Sequence, residues 1–270
     1  MSIEILLTPI LLDTIYFVST KLKSLKNGVL RQFQNYCNPL INIILISLLL
    51  LLPIEASWSF PSDFNAVYDA KIKQAKGELT AELITNEDGT YSYEMTTYAT
   101  GIWKMFANGM ISEKSIFKKE NNQLIPIKYN LDNSIKGFKS EINFDFKNNK
   151  INGYYKERII DLVFEEEIID RVLLKLDIIN SVKENHTLTT LKVLNKDKIE
   201  KVEVESTLEL ETITVPFGEF VCIKVRHSKV DSDKESILWL AKELKYIPIK
   251  LIQIESGKTN FTAELKELIK

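Results

Sequence analysis

Catalysis and metal binding draw on a small set of side chains, and this chain uses the reactive ones sparingly. Its 270 residues include two histidines, His186 and His227, and two cysteines, Cys37 and Cys222. His186 lies in the polar run Glu184-Asn185-His186-Thr187, and His227 follows Arg226 at the end of a strand-like run. Neither has a neighbour that marks a Ser-His-Asp or Cys-His unit, and both read as surface histidines. No G-x-S-x-G, G-x-x-x-x-G-K or H-E-x-x-H motif occurs. Two cysteines cannot build a Cys-rich metal site or a disulfide framework. Cys222, within Phe220-Val221-Cys222-Ile223, reads as a small buried apolar residue.

Carboxylates are plentiful, with 37 Asp and Glu. Glu165-Glu166-Glu167 reads as the charged first turn of a helix, where acids complement the helix dipole. A hard-cation site would need several converging oxygens. Asp231 and Asp233 lack the later Gly and Glu of a calcium loop. Asn185 and Asn260 open glycosylation acceptor triplets, which matter only in a eukaryotic secretory route. The sequence therefore marks no catalytic residue, no metal ligand and no cofactor site, and it leaves ligand-binding residues unidentified.

The elements that would position any site are mostly strands. From Phe64 onward, strand-like runs fall at 66–85 (broken at Gln74-Ala75-Lys76-Gly77), 90–98, 110–119, 124–130, 139–147, 150–164, 187–195, 199–214, 219–229, 235–241, 246–255 and 259–268. Asp88-Gly89 supplies a hairpin turn. Tyr91, Tyr93 and Met95 share one face by the period of two, and Ile142, Phe144 and Phe146 alternate with polar residues. One segment changes period: Ile168, Ile169, Val172, Leu173, Leu176 and Ile179 recur at spacings of three and four, predicting a helix over about 165–183. The expected fold is mainly β with one packed α-helix. A single antiparallel sheet of that length must curl strongly, into an open or partial barrel, to protect its edges.

Residues 40–52 are the most apolar stretch, at thirteen residues spanning roughly 20 Å as a helix, too short for a ~30 Å hydrocarbon core. Lys21, Lys23, Lys26 and Arg31 precede it, and Ala56-Ser57-Trp58-Ser59 follows. This arrangement predicts an N-terminal targeting segment over 1–59, with cleavage after Ala56 or Ser59 and loss of Cys37, and a single β-rich domain over 60–270. The lead before the apolar run is long for a signal peptide. Either translation starts downstream, near Val29, or residues 40–52 stay as an anchor in the inner membrane.

With 35 Lys and Arg against 37 Asp and Glu, the formal net charge is −2, which gives no global attraction to nucleic acid or to an anionic membrane. Ten aromatics concentrate in the first half of the domain: Tyr91, Tyr93, Tyr98, Trp103, Phe106, Phe117, Phe144, Phe146, Tyr154 and Tyr155. They read as core or as the lining of an apolar cavity that a curled sheet would enclose. Pro248 has no N–H for a ladder, so its strand should lie at an edge or begin there. Trp239 should anchor the core between the last strands.

Four segments carry a resemblance: Trp239 to Lys250, Val215-Pro216-Phe217-Gly218-Glu219-Phe220, Gly77-Glu78-Leu79 and Asp88-Gly89-Thr90-Tyr91. Together they resemble an uncharacterised family of exported bacterial proteins, the domain of unknown function 3108, over about residues 64–255. Lys245 stands where that family's turn would place Gly. The resemblance implies a periplasmic location and a β-rich fold, similar by analogy to the half-barrel carriers of lipoproteins. It transfers no functional residue. The leading expectation is a periplasmic, non-enzymatic carrier of an apolar or amphipathic ligand such as a lipid or lipoprotein. Two others stand beside it: an envelope protein that docks a protein partner, and a hydrolase using carboxylates alone.

Overall fold

A computed structural model describes residues 63–269 except 122 and 184–187; the targeting segment over 1–59, Cys37 and His186 lie outside the described residues. Fifteen strands form one sheet in the order β8-β7-β6-β5-β4-β3-β2-β1-β15-β14-β13-β12-β11-β10-β9. The first eight are β1 Phe64–Ile72, β2 Ala75–Thr85, β3 Tyr91–Ala99, β4 Met110–Glu120, β5 Gln123–Asn133, β6 Phe138–Asp145, β7 Lys150–Tyr155 and β8 Arg158–Val163. After them come β9 Ile168–Asp170, helix α1 Leu173–Lys183, β10 Leu188–Asn195, β11 Lys198–Val215, β12 Gly218–Lys229, β13 Lys234–Ala241, β14 Ile247–Glu255 and β15 Lys258–Ile269.

The order dictates the shape. The first and last strands, β1 and β15, pair in the middle of the sheet, so both free edges, β8 and β9, come from mid-chain. Only the link Phe164–Glu167 separates those two edges in sequence. Such a link spans at most about 17 Å, so the sheet must roll until its ends nearly meet. The ends are not hydrogen-bonded to each other, and the sheet stays an open, curled one. Register shifts at Val67/Tyr68, Ile116/Phe117, Ser206/Leu210, Trp239/Leu240 and Gln253/Ile254 add local twist. Pro126 and Pro248 pair at two of these shifts, where a missing N–H is tolerated.

Every adjacent pair is antiparallel except β9 with β10, which are parallel and joined through α1. The helix is buried nearly all round, through Leu173, Leu174, Leu176, Ile178, Ile179, Asn180, Ser181 and Val182. A helix buried on nearly every side belongs in an interior. It packs against β9 and β5 and so fills the hollow of the rolled sheet. Inward-facing Tyr68, Leu83, Phe117, Ile142, Ile151, Leu238 and Ile249 complete the core.

Three sequence expectations need correction, and a fourth is met in one of its two forms. The helix begins at Leu173, not at 165, because Ile168-Ile169-Asp170 pairs with Lys192-Val193-Leu194. The segment 150–164 is two strands, because Lys156 takes a left-handed φ of 58° and turns the chain without Gly, Asn or Pro to signal it. The strand of Pro248 is central, between β13 and β15, and it meets the other placement expected for it, since it begins at the residue before the proline. Trp239 is buried, but its ladder partners are Lys224 and Lys250, so its indole lies on the face opposite Leu238 and Leu240.

Candidate functional site

The start of α1 is fixed by a buried carboxylate. Asp170 is fully buried; its Oδ1 accepts hydrogen bonds from the backbone N–H of Val172 at 2.9 Å and of Leu173 at 2.8 Å. Its Oδ2 accepts the Ser115 hydroxyl of β4 at 2.5 Å. Asp170 thus caps the start of the helix, whereas Glu165–Glu167, expected to form its first turn, lie in the link before β9. Burial pushes its carboxyl up to about 6, against the opposing pull of those three hydrogen bonds. Beside it, Glu113 accepts the Tyr129 hydroxyl at 2.7 Å and pairs with Arg171 at 3.3 Å. This polar cluster ties β4 and β5 to the beginning of the helix and fixes how the plug sits.

Past the plug, a cleft of about 830 Å³ remains at one mouth of the rolled sheet. It exists because β9 is short. β9 covers only Lys192–Leu194 of β10, and the preceding link turns away, leaving the space beside Thr189, Thr190 and Leu191 open. The buried lining comprises Leu124, Phe164, Ile168 and Ile169, with Asn180 and Ser181 from α1. Phe146 packs edge-on against Phe164, with ring centroids 5.0 Å apart. The exposed Glu165, Glu166 and Glu167 stand at the mouth. Glu166 pairs with Lys192 at 3.0 Å, and Glu167 accepts a hydrogen bond from Gln123. Asn180 is 7 % exposed, and its Nδ2 is buried without a hydrogen-bond partner. A buried donor left unsatisfied costs about 1–3 kcal/mol, so a group able to accept its hydrogen would be held there.

A second cleft, of about 500 Å³, is lined by Arg171, Lys175, His227 and strand residues from β10 to β15. Its charged walls are largely self-paired, through Lys229–Glu200 at 2.8 Å and Lys234–Glu255 at 2.6 Å. His227 Nε2 is buried without a partner, and burial together with the Lys175 charge pushes the imidazole down to about 3. Burial, then the Arg171 charge, lowers Lys175 to about 8. His227 is therefore half-buried, with its Nε2 enclosed and the imidazole held neutral among cations, and not the fully exposed histidine expected.

The other residues considered from the sequence are dispersed. Cys222 is fully buried, and burial raises its thiol to about 11. Asp233 accepts the Ser256 hydroxyl in a hairpin contact, and Asn260 donates to Glu255 at 2.9 Å. Among the described residues no three His, Cys, Asp or Glu converge on a metal position. No helix among them is long and apolar enough to cross a membrane. Of the ten aromatics, Phe146 reaches the cleft; Tyr93, Phe117 and Phe144 are core; Trp103 and Phe106 lie on a surface loop. The sequence missed Asn180, since an amide on an apolar helix face looks like a lapse in periodicity. That lapse is the signal that could have found it.

These features define a class: a mainly β domain whose single sheet is rolled open and plugged by one helix. The family model for "Protein of unknown function (DUF3108)" matches residues 63–266, and the chain belongs to that family. No curated protein matches the sequence. Among solved structures, the chain is similar to a beta-barrel-like protein of domain of unknown function DUF1849 from Brucella abortus, at 11% identity and a TM-score of 0.49, covering 77% of this chain and 97% of that one. It is also similar to the MucA/MucB complex structure of Pseudomonas aeruginosa, at 8% identity and a TM-score of 0.32, covering 77% of this chain and 51% of that one.

Proposed function

We propose that the domain is a non-enzymatic binding module, exported to the periplasm, that holds an amphipathic ligand such as a lipid or the acyl part of a lipoprotein. One observation carries the reading: a cleft of about 830 Å³ with an apolar floor and a buried, unpartnered amide donor at Asn180. That volume is within the range of small-molecule sites, and so is the mix of apolar wall with one placed polar group. Because α1 occupies the hollow of the sheet, the ligand's chain would lie along Ile168, Phe164 and Leu124, with its polar end toward Asn180 or the mouth. This is a smaller site than an open half-barrel would give. Export is supported by the apolar run 40–52 and its basic flank.

The carboxylates fit a hydrolase less well. A general acid in glycoside cleavage is a carboxyl whose pKa is raised by burial. Asp170 has that property, but its oxygens are taken up by the helix cap and Ser115. Native mass spectrometry of the full chain, purified from the envelope without detergent, tests the binding reading. A bound amphiphile, lost in Asn180→Leu, is the expected result; a consistently empty protein would contradict it.

A protein-docking reading has its own observation. Among the described residues β8 is a terminal strand with one unpaired edge, and its Ile159 and Val163 are 88% and 66% exposed. Such an edge can accept an added strand. Crosslinking in the envelope from position 159 distinguishes it, since a specific protein adduct is expected only under this reading.

A further inference from the structure

At one end of the sheet, three neighbouring connections bring apolar and cationic side chains together. They are the β1–β2 turn, the β3–β4 loop (residues 100–109, with a short 3₁₀ turn at Gly101–Met105) and the β5–β6 turn. Backbone bonds join them: Thr100 N–H donates to Lys76 O, and Ser134 N–H donates to Met110 O, each at 3.0 Å. On this end Ile102, Met105 and Phe106 are 70%, 85% and 79% exposed, and Ile72, Met110 and Ile135 are exposed beside them. Trp103 stands against Phe106, with ring centroids 6.1 Å apart. A soluble surface does not ordinarily gather large apolar residues in one place without a use.

Within these three connections the charges have one sign. Lys73, Lys76, Lys104 and Lys136 lie in or beside these connections, all exposed, and no Asp or Glu lies within 71–76, 100–110 or 134–139. Acids on the adjoining strands and turns are mostly paired, Asp69 and Glu78 with Lys266, Asp132 with Lys139, Asp197 with Arg158 and Glu255 with Lys234, while Glu157 of the β7–β8 turn lines a cleft together with Lys136. Lys71 sits directly opposite Lys76 in the β1–β2 ladder. Like charges in that position repel, and an anionic surface would relieve the repulsion. The net charge of −2 concealed this local excess.

We propose that this end of the domain docks on an anionic lipid bilayer, with Ile102, Trp103, Met105 and Phe106 entering the interface and the surrounding lysines meeting the headgroups. Aromatic side chains favour the membrane–water boundary, and long lysines reach headgroups while their stems stay apolar. Each cation near an anionic leaflet strengthens binding by roughly fivefold. The inference does not depend on the cleft, which is built from other elements.

The test uses the full chain carrying Cys37→Ser and Met105→Cys, labelled at position 105 with a polarity-sensitive fluorophore; Cys222 is buried and does not react. Vesicles of phosphatidylglycerol and phosphatidylcholine, at roughly 3:7, provide the anionic surface, and pure phosphatidylcholine the neutral one. The label should shift to the blue on anionic vesicles alone, and roughly 0.5 M NaCl should reverse the shift. Lys73→Gln, Lys76→Gln, Lys104→Gln and Lys136→Gln combined should weaken it by about six-hundredfold. Phe106→Ser should weaken it while leaving the melting curve unchanged. A label that stays in water while the protein sediments with vesicles would overturn the proposal, since the chain would then be held by another segment such as residues 40–52. A label that shifts only when an envelope protein is added would also overturn it, in favour of a protein partner.

Discussion

Replacing Asp170 by asparagine isolates the energetics of the helix plug. The carboxyl is fully buried, and its pKa is raised from 3.8 to about 6, because burial outweighs the hydrogen bonds from Ser115, Leu173 and Val172. A folded-state pKa above the unfolded value means that the native state binds the proton more tightly. The stability from this group is then fully present below the unfolded pKa and is lost as pH rises through the folded one. The rise corresponds to about 3 kcal/mol in full, of which about 2.5 kcal/mol is lost between pH 4 and pH 7. The amide introduced by Asp170→Asn would keep an acceptor for the helix N–H groups but does not titrate. Urea unfolding followed by circular dichroism, at intervals from pH 4 to pH 7.5, gives the stability of each protein. The difference, wild type minus Asp170→Asn, should fall by about 2.5 kcal/mol as pH rises across that window. His227 works in the other direction: its pKa is lowered to about 3, so its contribution is present above 6.5 and lost as pH falls. It is shared by both proteins and cancels in the difference. A difference that is flat, or that increases with pH, would overturn this balance, because the hydrogen bonds would then outweigh burial.

Substitutions at three further positions probe other parts of the molecule. Trp239→Ala should cost roughly 3–5 kcal/mol, and Trp239→Phe about 1–1.5 kcal/mol for the lost indole bond; that bond runs from Nε1 to Glu211 Oε2 at 2.8 Å, and equal costs in denaturant melts would mean the ring is not packed. Gly153→Ala would set a Cβ 2.1 Å from the Glu141 carbonyl oxygen at a φ of +143°; a loss above about 3 kcal/mol is expected, and an unchanged melting temperature would disprove the β6–β7 register. Asn180→Leu removes a buried unsatisfied donor and should raise the stability of the empty protein by about 1 kcal/mol, whereas a loss would mean that the amide has a partner.

The strand pattern was legible because alternation fixes which face is buried, as Ile142 and Phe144 show against the partly exposed Asn143 and Asp145. Asp88-Gly89 marked its turn for the same local reason: glycine takes a φ of 81° there without strain. The helix was visible in its period, but its start was not. Ile168 and Ile169 fit a helical stripe equally well, and the deciding contact is with Val193, more than twenty residues away. The turn at Lys156-Glu157 was hidden because a lysine carries the left-handed φ that glycine would have announced. The cleft was out of reach, since it arises where β9 falls short of β10, a matter of three-dimensional length. The cationic, apolar rim was present in the sequence as Ile102-Trp103-Lys104-Met105-Phe106, but its lysines gather from connections far apart in the chain.

Whether the cleft beside β9 holds an amphipathic ligand is decided most directly by photocrosslinking in living cells. A benzophenone amino acid in place of Thr189, on the cleft lining, samples the site in the full chain. The same probe in place of Lys201, on the exposed face of β11, is the control. The expected result is an adduct with the mass of a small amphiphile from position 189 and none from position 201. Unmodified protein at both positions, or a protein adduct alone at 189, would contradict the binding reading.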